Sequence, residues 1–243
     1  MKFVTALLVA AFLFISGSMI GWVIEVFFRR FCSAKKWINP GFLTGPYLPL
    51  YGFGVAGLFA ISFLPIHTGH AWLDAILIIL IMGAVMTLIE YIAGLIFIKG
   101  MKIKLWDYSN RKGNIQGIIC PLFSLFWLLV SEFYYFVVRA YVIDAVAWFV
   151  QNIEFSFVVG LFLGVFLVDL GHSINITAKI RKFAKEHNII VSFEKLKESV
   201  RDKIEKHENK KASFVFPFKS NHSLSEDLQS YKETNHSEKV ESE

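Results

Sequence analysis

The chain of 243 residues is 55% hydrophobic and only 19% charged, with a formal net charge of +5. A soluble domain has roughly 45–50% apolar and about 25% charged residues, so the composition indicates a membrane protein and argues against an ordinary soluble domain. The excess of positive charge follows the predicted topology described below, and nothing in its distribution suggests nucleic-acid binding.

Five long apolar runs predict five transmembrane helices and therefore an all-α, polytopic membrane bundle. The predicted spans cover residues 3–28, 47–66, 72–98, 118–138 and 155–175. The first run has features of a secretory signal, but its hydrophobicity continues to Phe28, which favours an uncleaved span.

Basic residues predict the orientation of these spans. All 25 Lys and Arg except Lys2 and Arg139 fall in the loops after the first and third spans or in the tail from Lys179. By the positive-inside rule, the N-terminus is outside and the C-terminus is cytosolic. Cys32 and Cys120 then lie near the reducing cytosolic face, which favours unpaired thiols.

Two short stretches near the last span carry further predictions. Residues 140–154 are apolar but interrupted by polar side chains, and we expect them to lie along the outer membrane interface. Gly160 and Gly164 form a small-xxx-small pair, for which packing within the monomer is favoured over dimerisation.

The chain after residue 176 changes character, which divides it into a transmembrane domain, 1–176, and two cytosolic parts. Residues 177–211 are predicted to contain an amphipathic helix, because Phe193, Leu196, Val200 and Ile204 recur at helical spacing. Lys197 is assigned to the charged face of this helix. Residues 212–243 are rich in polar and charged side chains and are predicted to be disordered.

The segment Asn39–Gly54, NPGFLTGPYLPLYGFG, combines a helix-breaking start with an apolar end. Its last glycines begin a match to G-x-G-x-x-G, but no strand precedes them, so a nucleotide-binding loop is excluded in favour of close helix packing. No Walker sequence occurs in the chain. Irregular backbone at membrane depth must be buried or line a cavity, so Gly41 to Tyr51 is predicted to form one wall of a pocket.

Four ionisable residues fall in the inner half of the predicted spans: Glu25, Glu90, Asp169 and His172. Such groups are costly in lipid and are functional candidates. They predict a polar pocket open to the cytosol, although pairing of each acid with a nearby base, tyrosine or helix end is the alternative. Their spacing specifies no metal.

Five motifs occur in an order that resembles a bacterial family of multi-pass membrane proteins, the type IV ABC-transporter permeases. They are Gly21-Trp22-x-x-Glu25, Asn39-x-Gly41-Phe42-Leu43-x-Gly45-Pro46-x-x-Pro49-x-Tyr51-Gly52, Glu90-Tyr91, Trp106-Asp107-Tyr108-Ser109 and Asn114-Ile115-x-Gly117. The resemblance covers about residues 15–135. Where the family usually has an Arg and often a second Glu, this chain has Ile118 and Ile98, which implies a lost ion pair or a variant pocket.

The resemblance implies a permease-like subunit of the bacterial plasma membrane, with no cofactor and no catalytic or metal site of its own. Its expected partners are the lipid bilayer, a separate ATPase and a second copy through Gly160 and Gly164. The expected polar centre is Glu25, Glu90 and Asp107. The candidate substrate-binding residues are Trp22, Glu25, Asn39, Gly41, Gly45, Pro46, Tyr51, Glu90, Tyr91, Trp106, Asp107, Tyr108, Ser109, Asn114, Asp169 and His172.

Two alternatives to a permease stay open from the sequence. One is a scaffold or regulator that signals through the cytosolic tail. The other is a membrane enzyme acting on a lipid headgroup, which the lack of a recognisable nucleophile or metal motif disfavours.

Overall fold

A computed structural model describes residues 2–32, 35, 37–207 and 224–240. The helices are α1 (Lys2–Phe31), α2 (Pro49–Ile61), α3 (Ala71–Leu95), α4 (Pro121–Phe133), α5 (Arg139–Gln151), α6 (Ser156–Glu186), α7 (Phe193–His207) and α8 (Leu224–Val240). A π turn at Ile96–Met101 extends α3, and a second π turn at Tyr134–Val138 joins α4 to α5. A 3-10 turn covers Ile153–Phe155. Strands β1 (Ile103–Lys104) and β2 (Val191–Ser192) pair in parallel.

The predicted all-α membrane bundle is confirmed. Four helical stretches of the described chain are long and apolar enough to cross a membrane: Phe3–Phe31, Ala71–Met101, Pro121–Gln151 and Ile153–Glu186. The predicted span 47–66 is different, because its helix, α2, has only 13 residues. At ~1.5 Å per residue α2 extends about 20 Å, less than the ~30 Å of a bilayer core.

The segment 140–154, predicted to lie along the outer membrane interface, is helical over most of its length, and that interfacial position stays a prediction. Arg139–Gln151 continues the fourth predicted span as α5, because the π turn Tyr134–Val138 keeps the backbone helical across the junction. Asp144, one of the polar residues behind the prediction, is exposed on this helix, so it does not interrupt the hydrogen bonding of the backbone.

The chain divides into two compact units, and the predicted division at residues 176 and 211 stays a prediction. Unit 1 comprises the described residues of Met1–Glu25, Tyr47–Leu95 and Asp107–Val168. Unit 2 comprises those of Val26–Pro46, Ile96–Trp106 and Asp169–Glu243. Unit 2 thus combines the described part of the tail with the first part of the Gly/Pro-rich segment and the end of α1.

Glycines bring the helices of unit 1 close together, as the sequence predicts. A Cβ on Gly21 would overlap the side chain of Tyr51, and one on Gly52 would overlap Ser18 Oγ and Phe14 O. The N–H of Leu48 donates to the carbonyl of Ser18 in the middle of α1 (2.9 Å), which satisfies the irregular backbone before α2.

Gly160 and Gly164 do not follow this pattern. No other part of the described chain lies within 4 Å of a Cβ built on either residue. The face of α6 that carries them is therefore open, in contrast to the expected packing within the monomer.

The core of unit 2 surrounds the two short strands. Ile103, Val191 and Leu196 are fully buried, and Phe193 and Val200 pack in the same cluster. The buried positions of α7 match the predicted apolar stripe as far as Val200; the side chain of Ile204 lies outside the described part.

The tail differs from the prediction of disorder at residues 224–240, which form α8. Leu228 and Tyr231 of α8 are buried in the core of unit 2, and the Tyr231 hydroxyl accepts a hydrogen bond from the N–H of Ser192 (3.1 Å). A few apolar side chains with tertiary partners can order a mostly polar segment, which a composition-based prediction does not detect. Residues 212–223 and 241–243 lie outside the described residues.

Candidate functional site

Glu90 is a buried carboxylate within the third predicted span, and only 3% of it is exposed. The Tyr108 hydroxyl donates to its Oε1 (3.0 Å), and the Trp127 indole N–H donates to its Oε2 (2.8 Å). Each carboxylate oxygen therefore has one donor. Both donors are neutral and aromatic; Tyr108 lies in the loop before α4, and Trp127 lies in α4.

Tyr108 reaches Glu90 from the loop between β1 and α4. Its ring stacks on Phe123, with centroids 4.2 Å apart. Burial, reinforced by the neighbouring Glu90 carboxylate, raises the pKa of the Tyr108 phenol. The phenol consequently keeps its proton and acts as a hydrogen-bond donor at physiological pH.

Glu25 lies near the end of α1 and accepts a hydrogen bond from the Tyr51 hydroxyl (2.8 Å). Gly21, one turn before Glu25, leaves the space that the Tyr51 side chain occupies. The Tyr51 ring in turn meets the edge of Trp127, with centroids 6.1 Å apart. Glu25, Tyr51, Trp127, Glu90 and Tyr108 thus form a continuous group within unit 1, here called the carboxylate–aromatic cluster.

Asp107 is expected beside these acids, and the structure shows that its carboxylate takes part in a turn. Its carboxylate accepts from the N–H of Ser109 (2.9 Å) and from the Ser109 hydroxyl. Asn114 donates to the Ser109 carbonyl (3.0 Å) and accepts from the N–H of Gly117 (3.0 Å). These bonds shape the loop that presents Tyr108.

Asp169 forms a second polar group, which belongs to unit 2. Its Oδ2 accepts from the backbone N–H groups of Thr44 (3.1 Å) and Gly45 (2.8 Å), and its Oδ1 accepts from the Ser173 hydroxyl (3.3 Å). Consecutive backbone amides form a favourable site for an anion. Asp169 thereby holds the Gly/Pro-rich segment to α6.

The same segment is held by α7 in unit 2. Lys197 Nζ donates to the carbonyls of Asn39 (3.1 Å) and Gly41 (2.6 Å). The Asn39 amide donates across the turn to the carbonyl of Thr44 (2.9 Å), and Gly41 has a φ of 75°. That left-handed conformation favours glycine at this position.

The structure distributes the predicted site residues over the two units. Unit 1 brings together Glu25 with Tyr51 and Glu90 with Tyr108, and unit 2 brings together Asn39, Gly41, Gly45 and Asp169. Of the remaining candidates, Trp22, Tyr91 and Trp106 are half-buried, and Pro46 and His172 are exposed. Within the described ranges, no three His, Cys, Asp or Glu side chains gather as metal ligands.

Trp127 and Lys197 are the two site residues that the sequence analysis missed. The sequence alone could have indicated a role for Trp127, because an indole N–H inside an apolar span needs a buried hydrogen-bond acceptor. The assignment of Lys197 to the charged face is wrong, since Lys197 is 7% exposed. Its position four residues after Phe193, on the buried stripe, was the available signal.

The four long apolar helices identify the class as a multi-pass membrane protein. The chain belongs to the family described as "Putative ABC-transporter type IV", whose model matches residues 12–174. The family description and the apolar helices fit a membrane transporter component rather than an enzyme. No curated protein and no solved structure matches the chain.

Proposed function

We propose that the chain is the membrane subunit of an ABC-type transporter in the bacterial plasma membrane, and that a separate protein hydrolyses ATP. The family and the apolar helices support the membrane role. We further propose that the carboxylate–aromatic cluster contacts the polar part of the substrate. The observation that carries this second step is the burial of Glu90 within a span, held by Tyr108 and Trp127.

The chemistry of the cluster favours a proton or a cationic group. An ionisable residue inside a membrane span is costly and is a functional candidate. The two hydrogen bonds to Glu90 orient its carboxylate without adding a formal positive charge. The neighbouring rings of Tyr51 and Trp127 offer π faces, which also attract cations.

A paired neutralisation tests the role of the cluster. The Glu25→Gln/Glu90→Gln protein would be reconstituted in liposomes with a candidate partner ATPase. We expect the coupled ATP hydrolysis rate and the growth phenotype of the chromosomal variant to fall at least about tenfold, the consequence of losing roughly 1.4 kcal/mol of interaction.

Glu132→Gln is the matched control, because Glu132 lies in the same kind of apolar helix but is exposed. It should leave both measurements unchanged. Size-exclusion chromatography checks that the double variant is folded. Wild-type rates in a folded double variant would rule out the proposed role of the cluster.

A second copy of the chain is the other proposed partner, through Gly160 and Gly164. Open space at both glycines supports it, because small residues let membrane helices approach closely. Cross-linking in membranes should detect a dimer that Gly160→Leu removes and that Val165→Leu, about 100° away from Gly164 on α6, retains. A monomer in the wild type would contradict this interface.

A scaffold or regulator is the second candidate function, and contacts in unit 2 favour it specifically. Arg29 pairs with Glu194, Lys197 binds the carbonyls of Asn39 and Gly41, and Arg201 donates to the carbonyl of Trp37. This candidate predicts that removal of the chain after Asn175 abolishes function while the Glu25→Gln/Glu90→Gln variant keeps it. The opposite pattern would favour the transporter.

A further inference from the structure

Arg139 is one of the two basic residues outside the predicted cytosolic regions, and the proposed transport role does not use it. It begins α5, inside the long apolar helix Pro121–Gln151 of unit 1. A guanidinium in such a helix needs compensating partners, because a charged side chain within a membrane is costly. The groups that contact the Arg139 guanidinium therefore indicate the role of its charge.

The contacts of Arg139 leave its charge without an acidic partner in the described part of the chain. Nη2 donates to the carbonyl of Ser62 (3.1 Å). The guanidinium carbon lies 5.4 Å from the Phe63 ring centroid and 5.5 Å from that of Tyr135. These rings stabilise a cation, but they accept no conventional hydrogen bond in the guanidinium plane.

Two buried donors at this position lack an acceptor among the described residues. One is Nε of Arg139, and the other is the hydroxyl of Tyr134, a residue that is 4% exposed. An unsatisfied buried donor costs roughly 1–3 kcal/mol, so native structures rarely retain one without a partner. Both groups require the same thing, a hydrogen-bond acceptor.

The π turn changes the helical register between these two residues. The N–H of Arg139 donates to the carbonyl of Tyr134, five residues earlier. In an α-helix such residues point about 140° apart, whereas a bond from i+5 to i makes them neighbours one turn apart.

We propose that Tyr134 and Arg139 bind an anionic oxygen group, a carboxylate or a phosphate, at the end of unit 1 where α2 meets Ser62. The Tyr134 O–H and the Arg139 Nε–H donate to it, and the guanidinium balances its charge. Arginine is well suited to this chemistry because its N–H groups match the geometry of such anions. The group is either a free anion or the phosphate of a membrane phospholipid.

The test uses the full-length protein purified in a neutral detergent. In one arm, inorganic phosphate is titrated against sodium chloride of equal ionic strength, and the thermal unfolding midpoint is followed by tryptophan fluorescence. In the other arm, native mass spectrometry measures retention of phosphatidylglycerol relative to phosphatidylcholine. We expect at least one arm to show binding to the wild-type protein.

Three variants assign that binding to the proposed residues. Arg139→Gln should raise the apparent Kd at least about tenfold, and Tyr134→Phe at least about threefold. Arg139→Lys keeps the charge but lacks Nε, and should bind more weakly than the wild type. Arg111→Gln, which changes an exposed loop arginine, should bind like the wild type.

Each result is decisive for a folded protein. A phosphate effect lost in Arg139→Gln supports a free-anion site, and selective retention of phosphatidylglycerol lost in the same variant supports a lipid site. If neither probe binds the wild type, or if Arg139→Gln and Tyr134→Phe bind both probes as the wild type does, the proposal is overturned. Should Arg139→Gln not fold, Tyr134→Phe and Arg139→Lys carry the same comparison.

Discussion

The amine of Lys197 in unit 2 is removed from water and donates to two backbone carbonyls, those of Asn39 and Gly41. It also lies 4.8 Å from the centroid of the Phe193 ring. Carbonyls and a ring satisfy the donors but supply no full negative charge. This environment therefore favours the neutral amine more than water does.

Burial lowers the pKa of Lys197 to about 7. The nearby Arg29 guanidinium also lowers it, whereas the carboxylates of Glu194 and Asp169 oppose the shift. The unfolded chain keeps this proton up to about pH 10.4, so between these values the unfolded state binds more protons than the folded one. Stability therefore rises with pH in this window, by at most about 1.4 kcal/mol per pH unit.

The first prediction concerns this pH dependence. Lys197→Met removes the titrating group, so the stability advantage of the wild type over the variant should grow between about pH 7 and about pH 9. Unfolding midpoints of both proteins in detergent, measured across that range, provide the comparison. Lys195→Met changes an exposed position of α7, so its unfolding midpoint should change with pH in parallel with that of the wild type. Parallel curves for Lys197→Met would contradict the assigned titration.

Packing of α1 against α2 depends on glycines rather than on an apolar stripe. Gly17 and Gly21 of α1 contact Val55 and Tyr51 of α2, at distances that leave no room for a Cβ. In lipid, helices gain little from hydrophobic burial and associate through close backbone approach. The short α2 is consequently held by shape complementarity, and the Tyr51–Glu25 hydrogen bond depends on it.

The second prediction tests this helix contact. In Gly21→Ala the new methyl group would overlap Tyr51, so we expect a loss of about 1–3 kcal/mol in the free energy of unfolding. Gly57→Ala is the matched control in α2, because its Cβ would meet only Ile89 at an ordinary 3.7 Å. Thermal unfolding in detergent should separate the two variants. Equal stabilities would show that Gly21 and Tyr51 are not in the close contact that excludes a methyl group.

The orientation of the whole molecule, with N-terminus outside and C-terminus cytosolic, is a proposal from the distribution of basic residues. The two cysteines offer a direct measurement. Cys32, just beyond the end of α1, is exposed, whereas Cys120 is 2% exposed. Only Cys32 is therefore accessible to a bulky thiol reagent.

The third prediction is that a membrane-impermeant maleimide labels Cys32 in inside-out vesicles but not in intact cells. A cysteine introduced as His67→Cys in a Cys32→Ser background serves as the control, because His67 is exposed in the loop after α2. It should be labelled from the outside. Labelling of Cys32 in intact cells would reverse the proposed topology.

Hydrophobic runs were sufficient to predict the class of fold, and the glycines that begin α2 were sufficient to predict close helix packing there, whereas Gly160 and Gly164 did not follow the same rule. Span length, the mean apolarity of a run and the absence of a Cβ are local properties, and lipid requires each span to satisfy its own backbone. The ordered motifs, from Gly21-Trp22 to Asn114, were likewise enough to indicate the family. Those features can be read without knowing which helices are neighbours.

Only the tertiary structure decided which groups meet. Trp127 donates to Glu90 across 37 residues, and Lys197 reaches the carbonyl of Gly41 across 156. Such pairs depend on distances that sequence spacing does not determine. The π turn that joins Tyr134 to Arg139 likewise changes which side of a helix a residue faces, because a single i+5 to i bond alters the register that a period of 3.6 residues predicts.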